Sequence, residues 1–427
     1  MADLIDELAL PAPGARRLAI RVTPDAVRRL RGGHPWLYDG SIDSVSHDGE
    51  PGDLGVVFDR DRKFAAIGLW DPTSPIQLKV LHAGSPTTID AEWFADRLGT
   101  AVARRAPLWR DADRAMLGYR AVNGENDGLP GLVVDVYAAV AVVKLYTPAW
   151  FAHLRPVVDA AIAATGATTV VLRLARSVAG HELTERVGAD DGDVIVGDPI
   201  DGPVLFTENG LTLEADVRAG QKTGHFLDQR TNHRIVRNLA RGLDVLDVFA
   251  STGGFTAHAA AGGASSVHAV DISQPTLAVT ERNLAHNASN PRVSACRVTT
   301  EVGDAFEVME RMTAEHRRFG MVIVDPPSFA QNAASIKTAL GAYTRLTHLA
   351  LSLVVDGGIL VQASCSSRVT AADFFERIAL VAEGRAIDLT LLRRTGHDID
   401  HPVTFPEGAY LKAGVWRVER RARPGSR

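Results

Sequence analysis

The first eighty residues carry short apolar runs broken by turn residues. Leu18 to Val22, Leu54 to Phe58, Phe64 to Leu69 and Ile76 to Leu81 alternate with Arg31-Gly32-Gly33, Glu50-Pro51-Gly52 and Asp71-Pro72. That rhythm predicts a small, mostly β barrel or sheet over residues 15–83. Gly84-Ser85-Pro86-Thr87-Thr88 reads as a linker. Residues 88–203 read as an α+β block. Asp90 caps a helix through Trp93, Phe94, Leu98 and Val102, and strands are expected at Gly118 to Val122, Gly131 to Val136, Val140 to Leu145 and Thr169 to Leu174. A second helix is expected over Trp150 to Ala164. From residue 204 to 427 strands and helices alternate. Leu243 to Phe249, Val267 to Asp271, Met321 to Val324 and Ile359 to Ala363 are short, wholly apolar or nearly so. Such runs suit a parallel sheet covered on both faces, so this block is predicted to be a doubly wound α/β domain. The arginine-rich stretch Arg417 to Arg427 reads as a frayed end.

Composition narrows the classes. The 427 residues suffice for two or three domains. A formal net charge of -5 argues against a protein that coats nucleic acid over its whole surface, but leaves room for a local basic face. Two cysteines, Cys296 and Cys365, make neither a disulfide framework nor a four-cysteine zinc site, and no His and Cys set has metal spacing. The acidic start, MADLIDELAL, does not read as a signal peptide. Tyr137 to Tyr146 is too short to span a bilayer, so a cytoplasmic location is expected.

The sharpest local signal is Asp247-Val248-Phe249-Ala250-Ser251-Thr252-Gly253-Gly254-Phe255. An apolar strand carries a carboxylate, passes a small-residue turn and enters a helix, at the strand edge where α/β sheets bind ligands. The dinucleotide fingerprint is absent, which favours a ligand without phosphates. Asp271 ends the next strand, roughly 20 residues further, where a ribose-binding acid is expected. Asp304 follows the presumed third strand and Asp325, in Asp325-Pro326-Pro327-Ser328-Phe329, closes the fourth. Four acids along one edge suit a nucleoside with an amino acid head, such as S-adenosylmethionine. The fifth strand ends in Ser364-Cys365-Ser366, which places a thiol at the same edge, whereas Cys296 reads as a core residue. A methyl donor beside a thiol suggests covalent activation of a pyrimidine, in which the thiolate adds to carbon 6 so that carbon 5 can take the methyl.

At these residues the chain resembles the bacterial 23S ribosomal RNA (cytosine-C5)-methyltransferases of the RlmI type. The likeness runs through Arg31-Gly32-Gly33-His34-Pro35-Trp36-Leu37-Tyr38, Asn123-Gly124-Glu125-Asn126-Asp127-Gly128-Leu129-Pro130-Gly131-Leu132 and Gln221-Lys222-Thr223-Gly224-His225-Phe226-Leu227-Asp228-Gln229-Arg230. It continues through the glycine turn, Asp325-Pro326-Pro327, Ser364-Cys365-Ser366 and Phe405-Pro406-Glu407-Gly408-Ala409-Tyr410-Leu411-Lys412. The resemblance implies an N-terminal PUA domain, a middle domain and a Rossmann-like methyltransferase domain that uses S-adenosylmethionine. It implies that Phe249, Ser251, Thr252, Gly253 and Gly254, with Asp247, hold the donor's methionine part. Asp271 would take the ribose hydroxyls and Asp304 the adenine amine. Asp325 would orient the target base and, with Pro326, also border the donor, and Cys365 would be the nucleophile. Lys222, Asp228 and Arg230 become candidates for RNA contact. Two stretches depart from the pattern: Ser367-Arg368, whose basic residue would lower the thiol pKa or meet a phosphate, and Val298 to Val302, which reads as an insertion before Gly303.

The implied partner is 23S ribosomal RNA, unpaired or free of protein, with no membrane and with a homodimer left open. Arg16, Arg17, Arg21, Arg28, Arg29 and Arg31 face a single acid, Asp25, over the same span. Arg28, Arg29 and Arg31 are either a phosphate-binding face or a solvated one. Arg234, Arg237 and Arg241 have the spacing of one helical face. Trp36, Tyr38 and Trp70 could stack on bases, with core packing the expected role of Trp36. Alternatives are an RNA base N-methyltransferase acting on guanine or adenine, for which Cys365 has no use, and a noncatalytic RNA-binding assembly factor. A dehydrogenase lacks the glycines it would need.

Overall fold

The computed structural model describes residues 3–109, 116–330 and 333–421. The chain divides into two units. One comprises residues up to Gly210, Ala215–Leu227 and Ile399–Pro406; the other comprises Leu211–Glu214, Asp228–Asp398 and Glu407 onward.

The first unit holds two sheets. Strands β1 (Leu18–Val22), β2 (Trp36–Tyr38), β3 (Ile42–Val45), β4 (Leu54–Phe58), β5 (Phe64–Trp70) and β6 (Ile76–Ala83) lie in the order β2-β6-β5-β4-β1-β3. Along β1 buried and exposed residues alternate, so Leu18, Ile20 and Val22 enter a core and Ala19 and Arg21 face out. Helix α1 (Pro24–Arg31) starts at a Thr23 cap with Pro24 in its first turn and packs Ala26, Val27 and Leu30 into the same core. Its Arg28, Arg29 and Arg31 point outward.

The second sheet runs β11-β10-β9-β8-β7, from β7 (Gly118–Asn123), β8 (Leu132–Tyr137), β9 (Val140–Leu145), β10 (Thr169–Leu174) and β11 (Val194–Val196). Helices α2 (Ala91–Arg104), α3 (Leu154–Thr165), α4 (Arg176–Ala179) and α5 (Glu182–Val187) accompany it. The helix expected from Trp150 begins instead as a 3-10 turn over Pro148–His153. Residues 84–88 connect the sheets, yet one core runs across both. Val56, Ile67 and Leu69 of the first sheet cluster with Val134, Val143 and Leu172 of the second.

The Asn123 to Gly131 turn is built around a buried ion pair. Asp127 accepts from Arg105 Nη1 at 2.9 Å and Nη2 at 2.6 Å, and from the Asn123 amide at 2.7 Å. The guanidinium also donates to the carbonyls of Ala101, Arg120 and Asp400. Gly128 and Gly131 take φ of +75° and +73°, which glycine adopts without strain.

Strands β12 (Val204–Glu208) and β13 (Leu211–Ala215) carry the chain from the first unit toward the second. Among the described residues the second unit's sheet has seven strands: β14 (Asp244–Val248), β15 (Ser266–Asp271), β16 (Arg297–Val302), β17 (Phe319–Val324), β18 (Val354–Ser364), β19 (Ile387–Thr395) and β20 (Lys412–Arg420). Their order is β16-β15-β14-β17-β18-β20-β19. The first five are parallel, and β20 and β19 close the sheet antiparallel. Val245, Met321, Ile323 and Val361 face a layer with Val236 of α6 (Arg230–Leu239) and Phe255 of α7 (Gly254–Gly262). Leu246, Val322, Val324 and Leu360 face Met309 of α10 (Ala305–Ala314), Leu346 of α11 (Ile336–Leu353) and Phe374 of α12 (Ala371–Glu383). Burial on both faces is why these strands read as unbroken apolar runs. Helices α8 (Gln274–His286) and α9 (Pro291–Ala295) complete the unit.

Three expectations change. Val298 to Val302 is no insertion but most of β16, an edge strand with no buried position, which admits Thr and Glu. Arg417 to Arg420 is not frayed: it finishes β20, whose Ala413, Val415 and Trp416 are buried, while residues 422–427 lie outside the described residues. Arg241 lies past the end of α6 and is not on its face.

Removing one partner of a buried ion pair leaves the other charge uncompensated, which costs about 3–5 kcal/mol. Asp127→Ala is therefore expected to lower the urea midpoint markedly. Glu310→Ala, which breaks the exposed Arg345–Glu310 pair, should cost under about 1 kcal/mol. Equal effects of the two changes in denaturation curves would contradict the role given to the buried pair.

Candidate functional site

At the carboxyl end of β14 the backbone turns left-handed three times. Phe249, Ser251 and Gly253 have φ of +65°, +50° and +77°. At Phe249 and Ser251 this costs about 1–2 kcal/mol each, so neighbouring groups must hold it. The Ser251 amide donates to Asp271 Oδ2 at 2.9 Å, and its carbonyl accepts from Thr280 Oγ1 at 3.1 Å. The Thr252 carbonyl accepts from Asn283 Nδ2 at 2.8 Å. Thr280 and Asn283, both buried on α8, thus strap the turn down. A Cβ on Gly253 would come within 2.4 Å of Thr280, and one on Gly254 within 2.4 Å of the His233 ring. Burial pushes the His233 imidazolium down to about 3, so the ring packs neutral, edge-on to Phe255.

The acids take different stations. Asp247 is not at the rim: it pairs with Ala269 and Ile323 inside the sheet and is fully buried. Its Oδ2 accepts from Thr256 Oγ1 at 2.6 Å, while Oδ1 is buried without a partner among the described residues. Burial, with Asp271 adding to it, pushes this carboxyl up to about 7. Asp271 ends β15, and its Oδ1 accepts from the Ser273 amide at 2.9 Å. Next to it Ile272 is 74% exposed, an apolar side chain left open at this edge. Asp304 is exposed, and its Oδ1 caps α10 through the amides of Phe306 and Glu307. A cap of this kind accounts for that oxygen without any ligand.

Asp325 and Cys365 come together. Their strands β17 and β18 are parallel neighbours with Val324 opposite Gln362. The Cys365 thiol donates to the Pro326 carbonyl at 3.8 Å. Asp325 Oδ2 accepts from Gln229 Nε2 at 2.9 Å, Gln229 Oε1 accepts from Asn232 Nδ2 at 2.6 Å, and Asn232 Oδ1 accepts from Thr395 Oγ1 at 2.6 Å. Behind the thiol, Tyr343 and Ser364 share a hydrogen bond of 2.7 Å. Lys412, buried opposite Ser364 on β20, sends its ammonium to loop carbonyls beside Cys365. Cys296 is a half-buried residue at the end of α9, packed on the opposite core layer.

Several candidates have structural duties. Arg230 is buried and pairs with Asp398 at 3.0 Å, which corrects its assignment as an RNA contact. Asp228 is likewise buried and accepts from Tyr410 Oη at 2.8 Å. The residue between them, Gln229, reaches the site instead. Nothing in local sequence marks it, because its partner lies far along the chain. Arg368 is exposed; the buried cation near the thiol is Lys412. In the first unit Arg28 pairs with Asp25, Arg31 with Asp59, and Arg29 bonds His34, all at the surface. Lys222 takes φ of +55° with its ammonium over the Phe226 ring at 4.4 Å. Trp36 is half-exposed, donating to Glu125 and meeting Phe405 edge-on, whereas Trp70 is the core tryptophan. The core packing expected of Trp36 thus falls to Trp70.

A buried acceptor, an acid at a strand end beside an open apolar side chain, and a tight glycine turn fit a ligand with an ammonium group, a ribose and a flat base. The chain matches two family models: a PUA-like domain over residues 20–83 and an S-adenosylmethionine-dependent methyltransferase over residues 132–417. It is 45% identical to the ribosomal RNA large subunit methyltransferase of Deinococcus radiodurans over 412 residues, covering 95% of this chain and 98% of that protein. It is 32% identical to the ribosomal RNA large subunit methyltransferase I of Shewanella denitrificans, covering 94% and 99%. A SAM-dependent methyltransferase structure from Streptococcus mutans shares the fold, with TM-score 0.76, 19% identity and coverage of 93% and 99%. A methyltransferase crystallised with SAH superposes equally well, at 0.76 and 19%, covering 94% of this chain and 99% of that one. The chain belongs to the S-adenosylmethionine-dependent methyltransferase family, with a PUA-like domain at its N-terminal end.

Proposed function

We propose that this protein methylates carbon 5 of a cytosine in 23S ribosomal RNA through a transient bond to Cys365. The observation that carries the reading is the Cys365 thiol, in hydrogen-bond reach of the Pro326 carbonyl and next to Asp325, at the edge where the donor turn ends. Methylating an exocyclic amine would need the Asp325-Pro326-Pro327 turn but no thiol. The relatives' names place large-subunit ribosomal RNA as their substrate, and the same substrate is proposed here, with the cytoplasm as location. Residues 15–83, 88–203 and 204–427 serve as RNA-positioning, middle and catalytic domains.

In this reading the turn Phe249 to Gly254 lies against the donor's methionine part. Asp247 Oδ1 faces its ammonium, Asp271 takes the ribose hydroxyls, Ile272 covers the adenine and Asp304 Oδ2 receives its amine. The donor supplies the methyl group. Asp325, oriented by Gln229, holds the ring edge of the flipped cytosine. Cys365 Sγ bonds carbon 6, which drives electrons to carbon 5, and carbon 5 takes the methyl as the sulfonium leaves as a neutral thioether. A base then takes the carbon-5 proton, and the electron pair left behind re-forms the C5–C6 double bond as the thiolate leaves.

Donor affinity should carry the signature of Asp247. A carboxyl titrating near 7 must ionise to meet an ammonium, so calorimetry should show tighter binding at pH 8 than at pH 6. Asp247→Asn should flatten that dependence. Asp271→Ala should weaken binding about ten- to hundredfold, the worth of ~1.5–3 kcal/mol in charge-assisted bonds. A folded Asp271 variant with full affinity would remove it from the site.

Cys365→Ala is expected to lose methyl transfer and keep donor binding, with Cys296→Ala near normal. Wild type should be trapped on RNA containing 5-fluorocytosine, whose fluorine cannot leave as the proton does. Substantial methylation by the Cys365 variant would favour an N-methyltransferase.

Changing Arg28, Arg29 and Arg31 to Ala should weaken RNA binding, with donor affinity unmoved. The salt slope should fall by about one for each phosphate the variant no longer neutralises. An unchanged slope in a salt titration would make them a solvated face.

A further inference from the structure

The strand that closes the sheet beside the nucleophile carries a buried lysine that the methyl-transfer chemistry does not use. Lys412 opens β20 and lies directly opposite Ser364, the residue before Cys365, in an antiparallel register. A buried ammonium is costly unless it is fully bonded. Here its three donors go to the Ser366, Val369 and Tyr410 carbonyls; the Val369 bond is 2.6 Å and the Tyr410 bond 3.2 Å. Two of these acceptors belong to the loop that leaves Cys365. The lysine therefore fixes that loop and brings a positive charge to the thiol's side of the sheet.

We infer that Lys412 is a positioning residue that holds the Ser364-Cys365-Ser366 loop in place and favours the thiolate of Cys365. This rests on Cys365 being the nucleophile, as proposed above. Three loop carbonyls alone would be met by a neutral donor or by water. A lysine there adds what a thiol needs in order to ionise, a fixed cation nearby. Burial pulls the ammonium down to about 8, with Cys365 acting to raise it, so it stays mostly charged at neutral pH. Tyr343, Asp325 and Arg368, which also lie around Cys365, do not supply this charge. Tyr343 is held neutral by burial, with Cys365 and Asp325 raising it further; Asp325 is an acid; Arg368, on the thiol's own loop, is exposed. Support of the thiolate gives a charged side chain a purpose in so dry a place.

The test reads the thiol itself. In the Cys296→Ala background, iodoacetamide alkylation of Cys365 is followed against pH, without RNA. The wild-type loop should react with a midpoint below the ordinary cysteine value of about 8.5. Lys412→Met should raise that midpoint by about one unit or more, and Lys412→Arg should restore most of it. In turnover, Lys412→Met should lower kcat about tenfold at pH 7, recover toward pH 9 and leave KM for RNA and donor binding unchanged. An unshifted midpoint in folded Lys412→Met overturns the inference. So does a wild-type midpoint at or above the ordinary value, which requires no variant to fold. Because alkylation needs no substrate, it separates the two claims. A shifted midpoint without a 5-fluorocytosine adduct upholds the lysine–thiol coupling and sinks the carbon-5 chemistry. An adduct with an unshifted midpoint does the reverse.

Discussion

Parallel strands buried on both faces at the middle of the sheet leave one place for chemistry, the rim where they end. Helices cover the sheet above and below, so a polar side chain along β14, β17 or β18 must find a partner inside or lie at the carboxyl edge. Asp247 shows the first case, deep in the sheet and bonded to Thr256. Asp325 and Cys365 show the second. The turn after β14 follows from the same constraint. The chain must leave a central strand and enter α7 at once, and it does so through three left-handed residues that Thr280 and Asn283 hold from α8. Strain at Phe249 and Ser251 is thus maintained by packing a whole helix away from the turn.

Buried polar chains then set the orientation of what reaches the rim. Thr395, Asn232 and Gln229 run in sequence to Asp325, linking an edge strand, a helix start and the acid. A glutamine amide that donates to Asp325 must have its own carbonyl satisfied, and Asn232 does this, so the direction of each amide is fixed by the next. Tyr343 on Ser364 and Lys412 on the following carbonyls do the same for the thiol loop. Asp325 and the Cys365 loop are each held by a different network of hydrogen bonds.

What the sequence revealed was what burial on two faces writes into it. The strands β14, β15, β17 and β18 stood out as apolar runs, and so Asp271, Asp325 and Cys365 could be placed at one edge. The strands at or near the sheet's ends did not stand out. In β16, Thr299, Thr300 and Glu301 lie on an edge strand with little apolar demand, and the run looked like an insertion. In β20, Arg417, Glu419 and Arg420 disguised the sheet's penultimate strand as a tail, though Ala413 to Trp416 are buried. Long-range side-chain pairs were illegible for another reason. Gln229 meets Asp325 across nearly a hundred residues, and no local pattern records that, so its neighbours Asp228 and Arg230 drew attention that belongs to it.

Under the proposed function, the charge at the rim requires that RNA be gripped by other residues. Asp271, Asp304 and Asp325 gather negative charge at the rim around the donor turn, which suits a cationic donor and disfavours phosphate. An RNA substrate brings a line of negative charges to the same edge. Only an unstacked base, itself uncharged, can approach that rim without opposing it, and its backbone needs cations elsewhere. In the proposed function the exposed arginines of α1 supply such cations, and Asp25 and Asp59 engage two of them only at the surface, where ion pairs are weak and exchange readily for phosphate. An acidic site for the donor and a basic surface for the polymer are incompatible on one small edge, and in the proposed function they fall to two different units.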